Sequence, residues 1–374
     1  MGATPIPIHR PSVGARELEA VRLVLESRWL GMGPVTAAFE ERIRGVVDAR
    51  HAIAVSSGSA ALHLALLAAE VGPGSEVILP SLTHVACPQA ILAAGGQPQF
   101  CDVEIETATL DPDHVERLIT PRTQVIMPVH YGGFPCRMDE VLGLAREHGL
   151  IVVEDAAHAF GSTYEGRPIG SLGDLTCFSF DAAKNITCAE GGAVTTNDED
   201  LAERTRQARN LGVRDDSWHR RAARRPWQYE ATEVGIRCHL SDVHAAIGLA
   251  QLDRLDEIRG RKQALLRRYR AGLAGLAGVT PVAGDIDSAC PLLCTVRVAG
   301  DRRDALADRL ARDGIQAWVH FPPCHLQSAF APFRRPLPAT EQLHGELLTL
   351  PLHLELDDAD VDRVVSSIRA FFES

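Results

Sequence analysis

The fold class this sequence predicts is α/β, with a mostly parallel central sheet and a smaller C-terminal α+β domain. Three observations carry that expectation. From about residue 50 to 200, short apolar runs alternate with Ala- and Leu-rich helical stretches. Residues with chemical potential cluster just after those runs, where open parallel sheets bind ligands. After Pro291 the rhythm changes. The expected division is a large domain over 1–250, with an N-terminal helical segment, and a small domain over 251–374.

The elements follow in order. Residues 15–27 carry Leu18, Val21, Leu23 and Leu25 among charges and predict an amphipathic helix. Gly31-Met32-Gly33-Pro34 ends it, and a second helix runs to Val47. The run 51–55 leads through Ser56-Ser57-Gly58-Ser59 into a helix reaching Ala69. The run 76–79 leads through Pro80-Ser81 into a helix reaching Ala94. Runs at 99–103, 124–129 and 151–154 predict further strands, with helices after Asp111-Pro112 and over 138–148. Another apolar run ends at Ser179, a short strand spans 193–196, and a helix starts near Asp198. The stretch 211–230 lacks periodicity and holds Arg214, Arg220, Arg221, Arg224 and Arg225 with Trp218 and Trp227. A loop of that length in a compact domain is usually functional. One long helix is expected from Ser241 to Leu273. Beyond Pro291 come a strand, a helix over 301–313, a strand over 315–319, a Pro-rich turn and a closing helix from Asp358.

Composition narrows the function classes. The 374 residues are 45% hydrophobic, enough for a large core. A net charge of −11 opposes a nucleic-acid surface, which needs clustered cations. Nine cysteines without a CxxC pair argue against a zinc or disulfide framework and for a reducing, cytoplasmic setting. The N-terminus has no apolar signal-like core. The longest apolar stretch, near 60–71, is broken by His63 and Glu70 and is too short to span a bilayer. Neither a membrane, a nucleic acid nor a metal is expected as a partner.

Four segments carry chemistry. Lys184 stands between an apolar run and Glu190-Gly191-Gly192, with Ala182, Ala183, Asn185 and Ile186 around it. A desolvated lysine loses basicity and can form a Schiff base, although the segment alone reads equally as a loop lysine. Ser57-Gly58-Ser59 opens a helix, so its free N–H groups and the Ser59 hydroxyl form an anion site; a plain N-cap explains Ser59 as well. Asp155 ends a buried run and suits either a protonated heterocyclic nitrogen or a helix cap. His158, three residues on, reaches the same ligand edge or simply lines the cleft. An anion turn, a strand-end Asp, Ser179 and then Lys184 together make an inventory for pyridoxal 5'-phosphate (PLP).

These segments, with SSGSAALH at 56–63, LPSLTHVA at 79–86, VEDAAHAFGSTYEGRPIGSLGD at 153–174, GIRCHLSDVHAAIGLAQL at 235–252 and VHFPPCHLQ at 319–327, resemble the DegT/DnrJ/EryC1/StrS sugar aminotransferases. The run SFDAAKNITCAEGG is most similar to enzymes that make UDP-4-amino-4-deoxy-L-arabinose. The resemblance implies a fold-type-I, aspartate aminotransferase-like PLP enzyme. It implies Lys184 as the Schiff-base lysine and proton carrier, and Asp155 as partner of the pyridine nitrogen. Gly58, Ser59 and Ser179 would hold the phosphate, and His158 would contact the ring oxygen. His84 stands where relatives place an aromatic stacked on the cofactor. Arg237 stands where most relatives carry Asn, contributed across a homodimer interface to the partner's phosphate. Such a dimer would share its active sites. A surface Arg at a helix start is the competing reading of Arg237, disfavoured by the helix dipole.

The implied reaction moves an amino group from L-glutamate to a keto group, at carbon 4, of a TDP- or UDP-linked sugar. Carbon-3 amination and cyclitol amination are the alternatives. A PLP-dependent dehydratase fits less well, because such enzymes replace the lysine with histidine or need clustered cysteines. Arg224, Arg225, His320 and His325 are the expected substrate-binding residues.

Overall fold

The computed structural model describes residues 4–214, 217–221, 225 and 227–373. The first nine strands are β1 (His51–Val55), β2 (Glu76–Pro80), β3 (Gln97–Cys101), β4 (Thr123–Ile126), β5 (Ile151–Asp155), the hairpin β6 (Thr163–Tyr164) and β7 (Arg167–Pro168), then β8 (Leu175–Ser179) and β9 (Gly192–Thr196). Seven of them form one sheet in the order β1-β9-β8-β5-β4-β2-β3. β2, β8 and β9 are buried along their whole length, as expected when helices cover both faces. Strands β8, β5, β4, β2 and β3 run parallel; helices cross over from β2 to β3, from β3 to β4 and from β4 to β5, whereas the hairpin β6–β7 lies between β5 and β8. β9 runs antiparallel to both β1 and β8, because a loop rather than a crossover helix joins it to β8.

Among helices α1 (Ala15–Ser27), α2 (Pro34–Val47), α3 (Gly58–Ala68), α4 (Ala86–Ala93), α5 (Pro112–Leu118), α6 (Met138–His148), α7 (Glu199–Arg209), the short α8 (Ser217–Arg220) and α9 (Asp242–Leu252), α2 to α7 pack on this sheet and α9 packs on α1 and α2. α3 is the central one. Ala61, Leu62, Leu64, Ala65, Leu66 and Ala68 are all buried, and it touches β8, β9, α4 and α7. The Gly31–Pro34 phrase has a tertiary explanation. Gly33, the N-cap of α2, brings no side chain, and a Cβ there would lie 2.4 Å from Trp29. The cap comes instead from Asp242, which accepts from Thr36 N at 2.9 Å and Thr36 Oγ1 at 2.7 Å.

Three expectations need correction. The apolar stripe of α1 does not face the core. Glu17 and Val24 are buried there, while Leu18 is 71% exposed, and Leu23 and Leu25 are also exposed. α1 meets α9 through its other side, where Glu17 accepts from Gln251. The long helix from Ser241 is two helices. α10 (Leu255–Leu273) starts after a break at Asp253-Arg254, where Arg254 leaves helical geometry and its guanidinium binds Ser12 O at 3.1 Å. The stretch 211–230 is not all loop, since it contains α8.

β10 (Val279–Pro281), β11 (Cys294–Val298) and β12 (Leu347–Leu350) form an antiparallel sheet. It shares a core with α10, α11 (Arg303–Arg312) and α13 (Asp358–Glu373). Residues 315–319 do not form the expected strand and make only single bridges, at Ile315 and Trp318. The fully buried run Leu347–Leu350 takes the edge of β11, preceded by α12 (Pro338–Glu346).

One buried carboxylate ties the site-bearing strands together. Glu154 accepts from Gly173 N at 2.7 Å, Thr176 Oγ1 at 2.8 Å and His130 Nε2 at 2.8 Å. His130 Nδ1 accepts from Cys136 N at 3.1 Å, which leaves the ring proton on Nε2. All three donors lose their partner in Glu154→Ala. We expect that variant to lose about 3–5 kcal/mol of stability in urea unfolding. A loss below about 1 kcal/mol, the worth of one ordinary hydrogen bond, would show the hub to be dispensable.

Candidate active site

A cleft of about 380 Å³ opens beyond the carboxyl ends of β1, β2, β5 and β8. It lies in the size range of small-molecule sites. Segments far apart in the chain build its walls, and each is shaped locally.

The first wall is the turn before α3. Ser57 is the N-cap, its Oγ accepting from Ala60 N at 3.1 Å. The cap reading of Ser59 is thereby removed: Ser59 sits inside the first turn, exposed to the cleft. A Cβ on Gly58 would lie 2.7 Å from Ser179 Cβ, so only glycine lets the turn approach β8. A Cβ on Gly192 would lie 2.5 Å from Ser57 O, so β9 can seat the turn only with glycine there. The result is a cradle of helix-terminal N–H groups with Ser59 and Ser179 on its rim, a geometry suited to phosphate.

The lysine loop follows β8. Asp181 Oδ1 accepts from Ala183 N at 2.9 Å, and Asp181 O accepts from Lys184 N at 3.0 Å. This turn, with Phe180 N bonded to Gly191 O at 2.8 Å, presents Lys184 into the cleft. Burial pulls the Lys184 amine below its ordinary range, opposed by the carboxylates of Asp155 and Asp181.

Asp155 ends β5 and is 6% exposed. Its Oδ1 accepts from Ala157 N at 3.0 Å and its Oδ2 from the Cys87 thiol at 2.9 Å. Burial raises the Cys87 thiol well above its usual range, so the donor keeps its proton. His158 Nδ1 accepts from Gly132 N at 3.3 Å, which leaves Nε2 carrying the ring proton. His84 Nδ1 accepts from Ala86 N at 3.2 Å, with the same consequence. Phe321 stands edge-on to His84 at 5.4 Å and tilted against His158 at 5.9 Å. Burial, then the charge of Lys184, pushes His158 well down and His84 down, and takes His320 to about 4. His320 Nδ1 pairs with Thr349 Oγ1 at 2.9 Å, and its carbonyl accepts from Tyr131. This part of the cleft therefore holds neutral imidazoles around Lys184 and Asp155.

The cleft brings together Gly58, Ser59, His84, Asp155, His158, Ser179, Lys184 and His320. Other expected residues lie elsewhere. His325 is fully buried, between Ser81 Oγ at 2.6 Å and Glu341 at 3.3 Å, so the expectation that it binds substrate is corrected. Arg225 is exposed outside the lining of this cleft, and Arg224 lies outside the described residues. Arg237 is exposed and also outside the lining. It is not at a helix start: it bridges Asn210 in extended pairing, and α9 begins five residues later with Ser241 as its cap. Cys87 and Lys262 carried no expectation. Lys262 had a readable signal, since it falls on the buried stripe of α10 with Ile258, Leu265, Leu266 and Tyr269.

The residues fit PLP on three structural counts: a glycine-dependent anion cradle, a strand-end carboxylate open to the cleft, and an amine of lowered basicity between them. Among the described residues no His, Cys, Asp or Glu cluster could hold a metal, and no helix is long and apolar enough to cross a membrane.

Comparison with known proteins agrees with this geometry. The model of the DegT/DnrJ/EryC1/StrS aminotransferase family matches residues 11–369. The spore coat polysaccharide biosynthesis protein SpsC of Bacillus subtilis is 38% identical, over 97% of this chain and 96% of its own. DesV of S. venezuelae, solved with a ketimine intermediate, is 36% identical with a TM-score of 0.92, covering 100% of both chains. DesI, solved in the presence of its TDP-sugar product, is 36% identical with a TM-score of 0.87, over 98% of this chain and 93% of its own. The chain belongs to the DegT/DnrJ/EryC1/StrS aminotransferase family, and it is a PLP-dependent sugar aminotransferase of fold type I.

Proposed function

We propose that the enzyme transfers an amino group from L-glutamate to the carbon-4 keto group of a TDP- or UDP-linked sugar. The observation that carries the reading is Lys184, an amine of lowered basicity, in one cleft with Asp155 and the α3 cradle. The nucleotide part rests on likeness to DesI, whose structure contains its TDP-sugar product. The carbon-4 part rests on the run SFDAAKNITCAEGG.

PLP, when bound, supplies an electron sink for the carbon that carries the amino group. The chain supplies the rest. Ser59, Ser179 and the first N–H groups of α3 hold the phosphate. Asp155 keeps a proton on the pyridine nitrogen, held in aim by Ala157 N and the Cys87 thiol. His158 would donate from Nε2 to the ring oxygen, and His84 would cover a face of the cofactor. Lys184 Nζ, its basicity lowered by burial, would take a proton from the carbon that bears the amino group and deliver it to the carbon on the far side of that nitrogen. His320, held neutral, lines the sugar side.

We also propose that two copies complete each site. Leu18, Leu23 and Leu25 on α1, with Trp227, Tyr229 and Val234, leave a large apolar area exposed, Val234 at 97%. Arg237 is exposed beside them in sequence and absent from its own cleft, which suits donation to the phosphate of a second copy. The nine cysteines, all buried as free thiols, suit a reducing cytoplasm.

The deciding experiment is a mass-resolved screen of 4-keto and 3-keto nucleotide sugars with glutamate. We expect amination of a 4-keto sugar, lost in Lys184→Ala. Turnover by that variant would overturn the mechanism, and amination confined to 3-keto sugars would overturn the regiochemistry. Arg237→Ala should weaken cofactor binding about tenfold, the worth of one charge-assisted hydrogen bond. Mixing it with Lys184→Ala should restore activity, because one hybrid site then holds both native residues; no restoration would argue for self-contained sites. Cys87→Ala removes one buried hydrogen bond to Asp155, worth ~1 kcal/mol, so turnover should fall roughly fivefold. The pH midpoint of the cofactor absorbance should move with it, and Cys87→Ser should recover both. An unshifted spectrum would mean that Asp155 is aimed without Cys87.

A further inference from the structure

Beside Lys184 the cleft continues along Asn185, Ile258, Lys262, His353, Leu354 and Arg10. Two polar side chains there lack the partners that burial demands. Lys262, on α10, is 6% exposed, and its ammonium donates to Asn185 Oδ1. No carboxylate acts on it; the nearby group that does is the Cys290 thiol, which burial keeps protonated with its pKa up at about 11. His353 is 4% exposed, and its ring nitrogens make no hydrogen bond of normal geometry, the Pro7 carbonyl being only a loosely placed acceptor. Arg10, at the same wall, is already paired with Glu355 at 2.7 Å.

A buried ammonium held only by a neutral amide loses basicity, here down to about 8, and an anion beside it would restore the charged form. A purely structural residue on this apolar stripe of α10 would be better served by leucine or methionine. The ammonium has three N–H donors and spends one on Asn185, so two remain. The neutral ring of His353 has one N–H, held only loosely by the Pro7 carbonyl, that an anion there would compete for.

We propose that Lys262 and His353 form an anion site that holds a carboxylate of the amino donor. The proposal rests on the aminotransferase reading of the cleft. Covalent distance selects the occupant. Asn185, which ties down Lys262, is the chain neighbour of Lys184. In any α-amino acid the carboxylate carbon is two bonds from the reacting nitrogen. The diphosphate of a nucleotide sugar is separated from a ring keto carbon by most of the sugar. An anion held against the loop that carries the reacting amine, in the same cleft, suits the donor's carboxylate better than the diphosphate.

The test uses the holoenzyme and reads the two half-reactions separately. With glutamate, Lys262→Met should raise the half-saturating donor concentration about tenfold or more, the worth of a charged hydrogen bond. His353→Gln should raise it roughly threefold, as for a weaker neutral bond. Cofactor content and the keto-sugar half-reaction should stay within about twofold. Glutarate binding by calorimetry, which needs no turnover, should be present in the native enzyme and lost in Lys262→Met. A defect confined to the keto-sugar half-reaction would overturn the carboxylate assignment in favour of the diphosphate. Native donor saturation and glutarate binding in both variants, with only a lower melting temperature, would overturn the site itself. If Lys262→Met does not fold, His353→Gln and the glutarate titration decide. Failure of the aminotransferase reading would look different: the native enzyme would bind glutarate yet show no spectral change with any amino donor.

Discussion

The close approach of β9 to the turn before α3 is the constraint on which the site depends. At Gly192 a Cβ would meet Ser57 O at 2.5 Å, and at Gly58 a Cβ would meet Ser179 at 2.7 Å. Two missing side chains thus let three segments share one small volume: the anion turn, the end of β8, and the strand that closes the lysine loop. The antiparallel direction of β9 belongs to the same constraint. The chain leaves β8, turns through Lys184, and must return immediately on the other side of that strand. A crossover helix would carry the lysine away from the cradle it faces.

The electrostatics follow from this crowding. Lys184, Asp155, His84, His158 and His320 all line one cleft, so each feels the others in a medium poorer than water. Burial depresses the lysine and the three imidazoles alike, and the lysine charge depresses the imidazoles further. Backbone amides settle which ring nitrogen keeps the proton: Gly132 N for His158 and Ala86 N for His84. Neutral, oriented imidazoles suit chemistry in which one amine moves the protons and the surrounding groups only hold and orient.

Much of this was readable in one dimension. The strand–helix alternation over β1 to α7 follows from apolar runs bounded by Ser, Pro and Asp, and α6 falls where its periodicity places it. Lys184, Asp155 and the Ser57–Ser59 turn stand out because their residue types conflict with their local setting. The failures have a common cause. The stripe on α1 has helical period, but period cannot say which side meets α9. His325 sits in a segment that does reach the cleft at His320 and Phe321, yet its own ring turns to Ser81 and Glu341. The strand expected at 315–319 is reduced to single bridges, from Ile315 to Ile6 and from Trp318 to Thr349 of β12, which local pattern does not record.

The sequence by itself determined the strand–helix alternation from β1 to β5, the family and the cofactor, and it singled out Lys184 as the candidate lysine, because each is written in residue types at short spacing. Tertiary structure alone decided which distant groups meet. Asp242 caps α2 from across the chain, Cys87 aims Asp155, and Lys262 reaches Asn185 from α10. The reason is physical: hydrogen bonds and desolvation act over a few ångströms of space, and packing, not chain position, sets those distances. For the same reason the opening turn and Gly192, more than 130 residues apart, show their shared purpose only when folded against each other.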